Sequence, residues 1–137
     1  MIGMSFVTTM VIEERTVDRP TWSEVETAIR SLDGRSTTLL VLSPGPPLGP
    51  PEGDAHLAIG GAADGRLVVY MTADNLEFWN LRDPARRTLE GASAVLVSGQ
   101  VGEYKNSDLV DASLAVRAAQ LYFERGLRNS ELVWANG

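Results

Sequence analysis

Few residues in this 137-residue chain could make or break bonds. The only histidine, His56, stands between Ala55 and Leu57 at the start of a strand-like run, with no HxH, HExxH or HxE spacing around it. That setting suits a surface or strand-end histidine and offers a general base no partner. Zinc needs three or four nitrogen, sulfur or oxygen ligands, which His56 and scattered carboxylates do not supply. With no cysteine, disulfides, thiol chemistry and thiolate metal sites are excluded. Gly60-Gly61-Ala62-Ala63-Asp64-Gly65 has the glycine density of a phosphate loop. It lacks the Gly-Lys-Ser/Thr ending, and Arg66 opens a strand-like run where a helix is required. No Gly-x-Ser-x-Gly elbow occurs. Glu13 and Glu14 are adjacent, so on a strand they point to opposite faces and form no working acid pair. The expectation is a chain with no catalytic residue, no cofactor and no metal.

Binding chemistry is better supplied. Trp22, Trp79 and Trp134 are of a type enriched at interface hot spots. Trp22 opens a helical stripe and Trp134 closes an apolar run, so both read as core. Trp79, between Phe78 and Asn80 before a charged turn, is the best placed of the three for contact with a partner. The formal charge of −6 argues against nucleic acid, whose phosphates are gripped mainly by Lys and Arg. An acidic surface suits a basic partner or simply keeps the protein soluble. No window approaches the roughly 18 apolar residues needed to span a bilayer. Met1-Ile2-Gly3-Met4-Ser5-Phe6 lacks the basic flank and long apolar stretch of a signal peptide, so cytoplasm is expected.

The elements that position these residues follow from patterning. Met4 to Glu14, rich in Val, Ile, Thr and Phe, predicts a first strand, broken at Asp18-Arg19-Pro20. Thr21 and Glu24 form a capping box, and Trp22, Val25, Ala28, Ile29 and Leu32 recur at helical spacing. Asp33-Gly34 ends that helix. Thr37 to Leu42 predicts a central strand. Five of the seven prolines fall between Ser43 and Gly53, predicting an exposed, stiff loop. Ala55 to Ile59 and Arg66 to Thr72 predict a hairpin joined by Gly60 to Gly65. Leu76 to Leu81, Ala94 to Val97 and a short Gln100-Val101 follow. A second helix is expected from near Ser107 or Asp108 to Gly126, then a last strand at Leu132-Val133-Trp134. The pattern does not repeat as βαβ units. It predicts one α+β domain over 1–137, mainly antiparallel β-sheet with two α-helices at about 21–33 and 107–125.

In this order of elements the chain resembles immunity protein family one, whose genes neighbour deaminase-class toxins in bacterial polymorphic toxin systems. The resemblance rests on the helix Thr21 to Leu32, the strand Leu39 to Leu42, and Gly60 and Gly61. It rests also on Gly102-Glu103, Leu109-Val110, Ala118-Ala119, Phe123, Gly126 and Val133-Trp134. A proline precedes the final strand in many relatives, whereas Leu127-Arg128-Asn129-Ser130 stands in that stretch here. The resemblance implies a cytoplasmic antitoxin that binds a cognate toxin domain, and it assigns no catalytic residue. A deaminase acting on exposed bases presents a basic groove, which loop acids could occupy in place of phosphates. The candidate contacts are Glu52, Asp54, Asp64, Asp74, Glu77 and Asp83, with Trp79 among them. Three alternatives stay open: a small-molecule or peptide-binding module, a carboxylate hydrolase, and a non-catalytic homo-oligomer.

Overall fold

The computed structural model describes residues 5–44, 55–63, 65–74, 76–86, 90–97 and 100–136. In β1 (Thr9–Ile12), Met10 and Ile12 are buried on one side. The chain then turns at Glu13-Glu14 into β2 (Arg15–Asp18), which pairs antiparallel with β1. The sequence predicts one strand ending in charge; the structure adds β2. Its Arg15, Thr16 and Asp18 are exposed, so an outermost strand carries no apolar alternation to announce it. Glu13 sits at φ 54, a conformation rare for residues with a side chain. Its carboxylate accepts from the N–H groups of Thr38 and Leu39, which ties the turn to the next strand.

The first helix, α1 (Trp22–Arg30), begins as its cap predicts. Thr21 Oγ1 accepts from the Glu24 N–H at 3.2 Å, and the Glu24 carboxylate accepts from the Thr21 N–H at 2.8 Å. Val25, Ala28 and Ile29 are buried, while Glu26 and Arg30 pair at 3.3 Å on the outer side. Gly34 takes φ 73 in the turn that follows.

The remaining strands are β3 (Leu39–Ser43), β4 (His56–Ala63), β5 (Arg66–Thr72), β6 (Phe78–Arg82), β7 (Ala92–Val97), β8 (Gln100–Lys105), β9 (Leu109–Val110) and β10 (Val133–Asn136). The second helix is α2 (Ala112–Arg125). The main sheet runs β10-β6-β5-β4-β3-β1-β2, antiparallel throughout, with β9 also on β5. The fold is therefore α+β and mostly β, as expected. Both helices cover one face. There Met10, Leu40, Leu42, Leu57, Ile59, Val69 and Leu81 pack with Val25, Ile29, Ala118, Tyr122 and Phe123. Burying a side chain of this kind contributes roughly 1.5–3 kcal/mol, so this face carries most of the fold's stability.

The β7–β8 ribbon lies across the other face, where Val95 packs with Val68 and Leu109. It also explains a departure from the sequence reading. Gly60 and Gly61 are not turn residues: β4 runs through both to Ala63, with a register shift between Gly61 and Ala63. A Cβ on Gly60 would stand 2.8 Å from a Val97 methyl, so the glycine lets β7 cross closely.

The second helix also starts later than its pattern suggests, at Ala112 and not near Ser107 or Asp108. Leu109 and Val110 pair instead with Val68 and Leu67, and Asn106–Asp108 forms a 3-10 turn. Asp111 is the true cap, accepting from the Leu114 N–H at 2.9 Å. Gly126 ends the helix at φ 71, as predicted.

Candidate partner-binding surface

Glu52, Asp54 and Asp64 lie outside the described residues. The other candidate acids divide by what their carboxylates do. Asp74 builds the β5–β6 turn: its Oδ1 accepts from the N–H groups of Leu76 at 2.9 Å and Glu77 at 3.0 Å. Asp83 accepts from the Ala85 N–H at 2.9 Å and caps the short 3-10 turn after β6. Glu77 is exposed, and its carbonyl accepts from Thr72 Oγ1 at 2.7 Å. Asp74 and Glu77 precede β6 and Asp83 follows it. At roughly 3.3 Å per residue, the strand holds Asp83 well away from the other two.

The Asp74 turn presents Leu76, whose surface is 85% exposed, the highest among the exposed large apolar residues described. The Glu77 and Leu76 N–H groups hold the Asp74 carboxyl below the usual carboxylate range. Its folded-state pKa is thus below its unfolded value of about 3.9. The stabilisation is present above that value and is lost as pH falls through the lowered one. In an NMR titration, Asp74 should ionise below an ordinary aspartate, and the Leu76 and Glu77 amides should shift with the same midpoint. Ionisation near the ordinary value would contradict this account of the turn.

Strand alternation settles the tryptophan question. Leu81 is fully buried on the helix-bearing face, so Trp79, two residues earlier, shares that side. Trp79 is half-buried against the core, with the Arg128 guanidinium 3.9 Å from its ring centroid. Trp134 lies opposite Leu81 on the same side and donates from Nε1 to the Asn129 carbonyl at 2.9 Å. Trp22 is also half-buried, 5.7 Å from Phe123 between ring centroids.

Phe78 points the other way. On that face it meets Tyr70 at 5.8 Å, and Tyr70 meets His56 at 5.8 Å, each edge to face. Tyr104 from β8 packs against the Val68, Val95 and Leu109 cluster. Burial, and after it the neighbouring Tyr104, pushes the pKa of the Tyr70 hydroxyl above its ordinary value, so it stays neutral at physiological pH. Asn80, Val133 and Ala135 continue the same face towards β10. Among the described residues neither α1 nor α2 covers this part of the sheet, and the Asn106–Asp108 turn reaches it only at Arg82, whose Nε donates to Asp108 at 2.7 Å. Half-exposed Tyr and Phe beside Asn are the mixture from which interfaces are commonly built. Sequence reasoning singled out Trp79 and passed over Phe78, although anchoring the alternation on Leu81 would have separated them.

Among the described residues no group of His, Asp and Glu could hold a metal ion. A groove of about 450 Å³ between β1–β2 and α1 is lined by Met10, Ile12, Arg15, Val17, Glu24 and Thr27, among others. No described helix is long and apolar enough to cross a membrane.

Among the described residues, the chain presents a partly exposed aromatic sheet face and an apolar tip at Leu76. Residues 13–136 match the family described as Immunity protein Imm1. The chain belongs to this immunity-protein family. No curated protein matches it. Imm1 membership implies a cognate toxin as partner. The match begins at Glu13, the turn residue whose carboxylate ties β1–β2 to β3, and ends at Asn136, the last residue of β10. The Imm1 match therefore takes in every strand of the main sheet except β1, which precedes Glu13.

Proposed function

We propose that this immunity protein neutralises a nucleic-acid deaminase-type toxin by covering its active-site region in the cytoplasm, acting as a stoichiometric inhibitor without turnover. The observation that carries the reading is the Imm1 match across nearly the whole chain. The deaminase class is what the resemblance to immunity protein family one implies, and the charge of −6 supplies a mechanism for it, since acids could occupy the basic groove of an enzyme that handles single-stranded or flipped bases. Acids raise the association rate and select the partner, and aromatic anchors slow dissociation.

The proposed contacts centre on Leu76 and Glu77 at the β5–β6 tip, and Glu52, Asp54 and Asp64 stay proposed contacts on the strength of their charge alone. Asp74 acts there by holding the turn. Asp83 and Trp79 keep a place at the margin, one as a cap and the other beneath Arg128.

Two measurements test the reading. A deaminase-like toxin domain encoded beside this chain should co-purify with it and lose activity at equal stoichiometry. A neighbouring toxin of another chemistry, inhibited equally, would leave the immunity role and remove the deaminase assignment. Leu76→Ser and Glu77→Lys, which spare the Asp74 bonds, should each weaken binding about tenfold or more with an unchanged unfolding midpoint. Undiminished affinity in both would take the tip out of the interface.

A further inference from the structure

The main sheet has two edges, and they are built differently. The β2 edge is charged: Glu14-Arg15-Thr16-Val17-Asp18-Arg19 runs along it, and Glu13 and Arg19 bend the chain at φ 54 and 53 at either end. Charge and kinks of this kind block pairing with another strand. The β10 edge has neither. Val133-Trp134-Ala135-Asn136 carries no charge, and Val133 is 42% exposed.

Ladder bonds alternate along each antiparallel strand, so one bond fixes the direction of the rest. The Gly61 N–H donates to the Thr38 carbonyl at 3.1 Å. Carried through the registers of β4–β5, β5–β6 and β6–β10, this turns Val133 and Ala135 towards β6. Trp134 and Asn136 then direct their N–H and C=O groups outward. Unpaired backbone groups on an uncharged edge are a template for an added strand. Beside them lies the open face of Phe78, Asn80 and Tyr70, with side-chain positions for alternate residues of an incoming strand.

We propose that β10 is a strand-addition site, at which an extended, basic segment of the toxin pairs with Trp134–Asn136 and lays alternate side chains over Phe78 and Tyr70. The inference rests on the reading of this chain as a toxin-binding protein and adds a strand-pairing edge beside the β5–β6 tip, since Asn136 lies opposite Trp79. Charge selects the occupant. Each copy of this chain carries −6, so a second copy approaches against repulsion, whereas a basic segment is drawn to the Glu77 rim.

The probe is the toxin domain encoded beside this chain, and the reporter is its affinity for the full-length protein. Asn136→Pro removes an outward N–H and spares the bonds to β6. Val133→Lys places a charge on the uncharged edge. Each should lower affinity about tenfold or more, with thermal unfolding as in the unsubstituted protein. Thr16→Pro, the matching change on the β2 edge, should leave affinity unchanged. In the complex, the Trp134 and Asn136 amides should exchange more slowly than in the free protein. Wild-type affinity in both β10 variants, or unprotected edge amides in a complex that forms, overturns the proposal and leaves the toxin-binding reading standing. So does concentration-dependent protection of those amides in the free protein with a doubled mass, which makes a second copy the occupant. Failure of the unsubstituted protein to bind the toxin domain defeats the underlying reading instead.

Discussion

Gly60→Val should unseat the β7–β8 ribbon and cost about 2–4 kcal/mol of stability, the larger of two effects expected from single glycine changes. A Cβ at residue 60 would stand 2.8 and 3.0 Å from the two methyls of Val97, and 3.5 Å from the Thr38 carbonyl oxygen. Val97 cannot swing away cheaply, because a β-branched side chain has few χ1 positions. The strand bearing it must lift, and with it Val95, buried to 1% against Val68 and Leu109. Urea unfolding should show the loss, and hydrogen exchange should locate it in β7 and β8 while amides in α1 and α2 keep their relative protection. Gly65→Ala is the contrasting change. Residue 65 has nothing within 4 Å of a new Cβ, so only its φ of 74 is penalised, at about 1–2 kcal/mol. Because Gly60 has no left-handed φ to be penalised, a loss there no larger than that at Gly65 would show that Val97 gives way without lifting β7. Because β8 carries Tyr104 to the open face, Gly60→Val should also weaken partner binding.

The same position shows where sequence reading reached its limit. A glycine pair between two apolar runs is the ordinary signature of a turn, and nothing local distinguishes it from a strand crossed by another strand. The distinguishing fact is Val97, more than thirty residues away. Local chemistry was legible wherever its partners were near in sequence. Thr21 with Glu24, Glu26 with Arg30, and Gly126 at a helix end all behave as their spacing demands. Leu109-Val110 looked helical because its apolar residues fit the period of α2. Only pairing with Leu67 and Val68 makes it a strand.

The binding surface divides in the same way. Acid content was visible as charge, but the work of each acid depended on turns: Asp74 and Asp83 bind backbone N–H groups, and Glu77 leaves its carboxylate outward. Phe78 and Trp79 differ by one position, so strand parity decides their faces, and parity needs one buried residue as its origin. Leu81 provides it once the fold is known. Of the two edges of the sheet, β10 was a short apolar run in the sequence and β2 gave no strand signal. Their contrast, charged in β2 and uncharged in β10, acquires meaning only when both are seen to be edges.

Gly126→Ala should cost about 2–3 kcal/mol through two separable causes. Residue 126 ends α2 at φ 71 and donates its N–H to the Tyr122 carbonyl at 2.8 Å, so alanine must adopt a left-handed conformation. Its Cβ would also stand 2.7 Å from three atoms of the Phe6 ring. That ring is not free to retreat. The Phe6 N–H donates to the Glu124 carbonyl at 3.2 Å and the Val7 N–H to the Phe123 carbonyl at 3.1 Å, while the ring packs edge-on against Tyr122 at 5.5 Å. The causes separate in a double-mutant cycle. In a Phe6→Ala background the clash is gone, so Gly126→Ala should retain only the backbone share of about 1–2 kcal/mol. Strict additivity of the two changes, measured by urea unfolding, would mean that the ring yields without cost and that backbone conformation alone holds glycine at the end of α2.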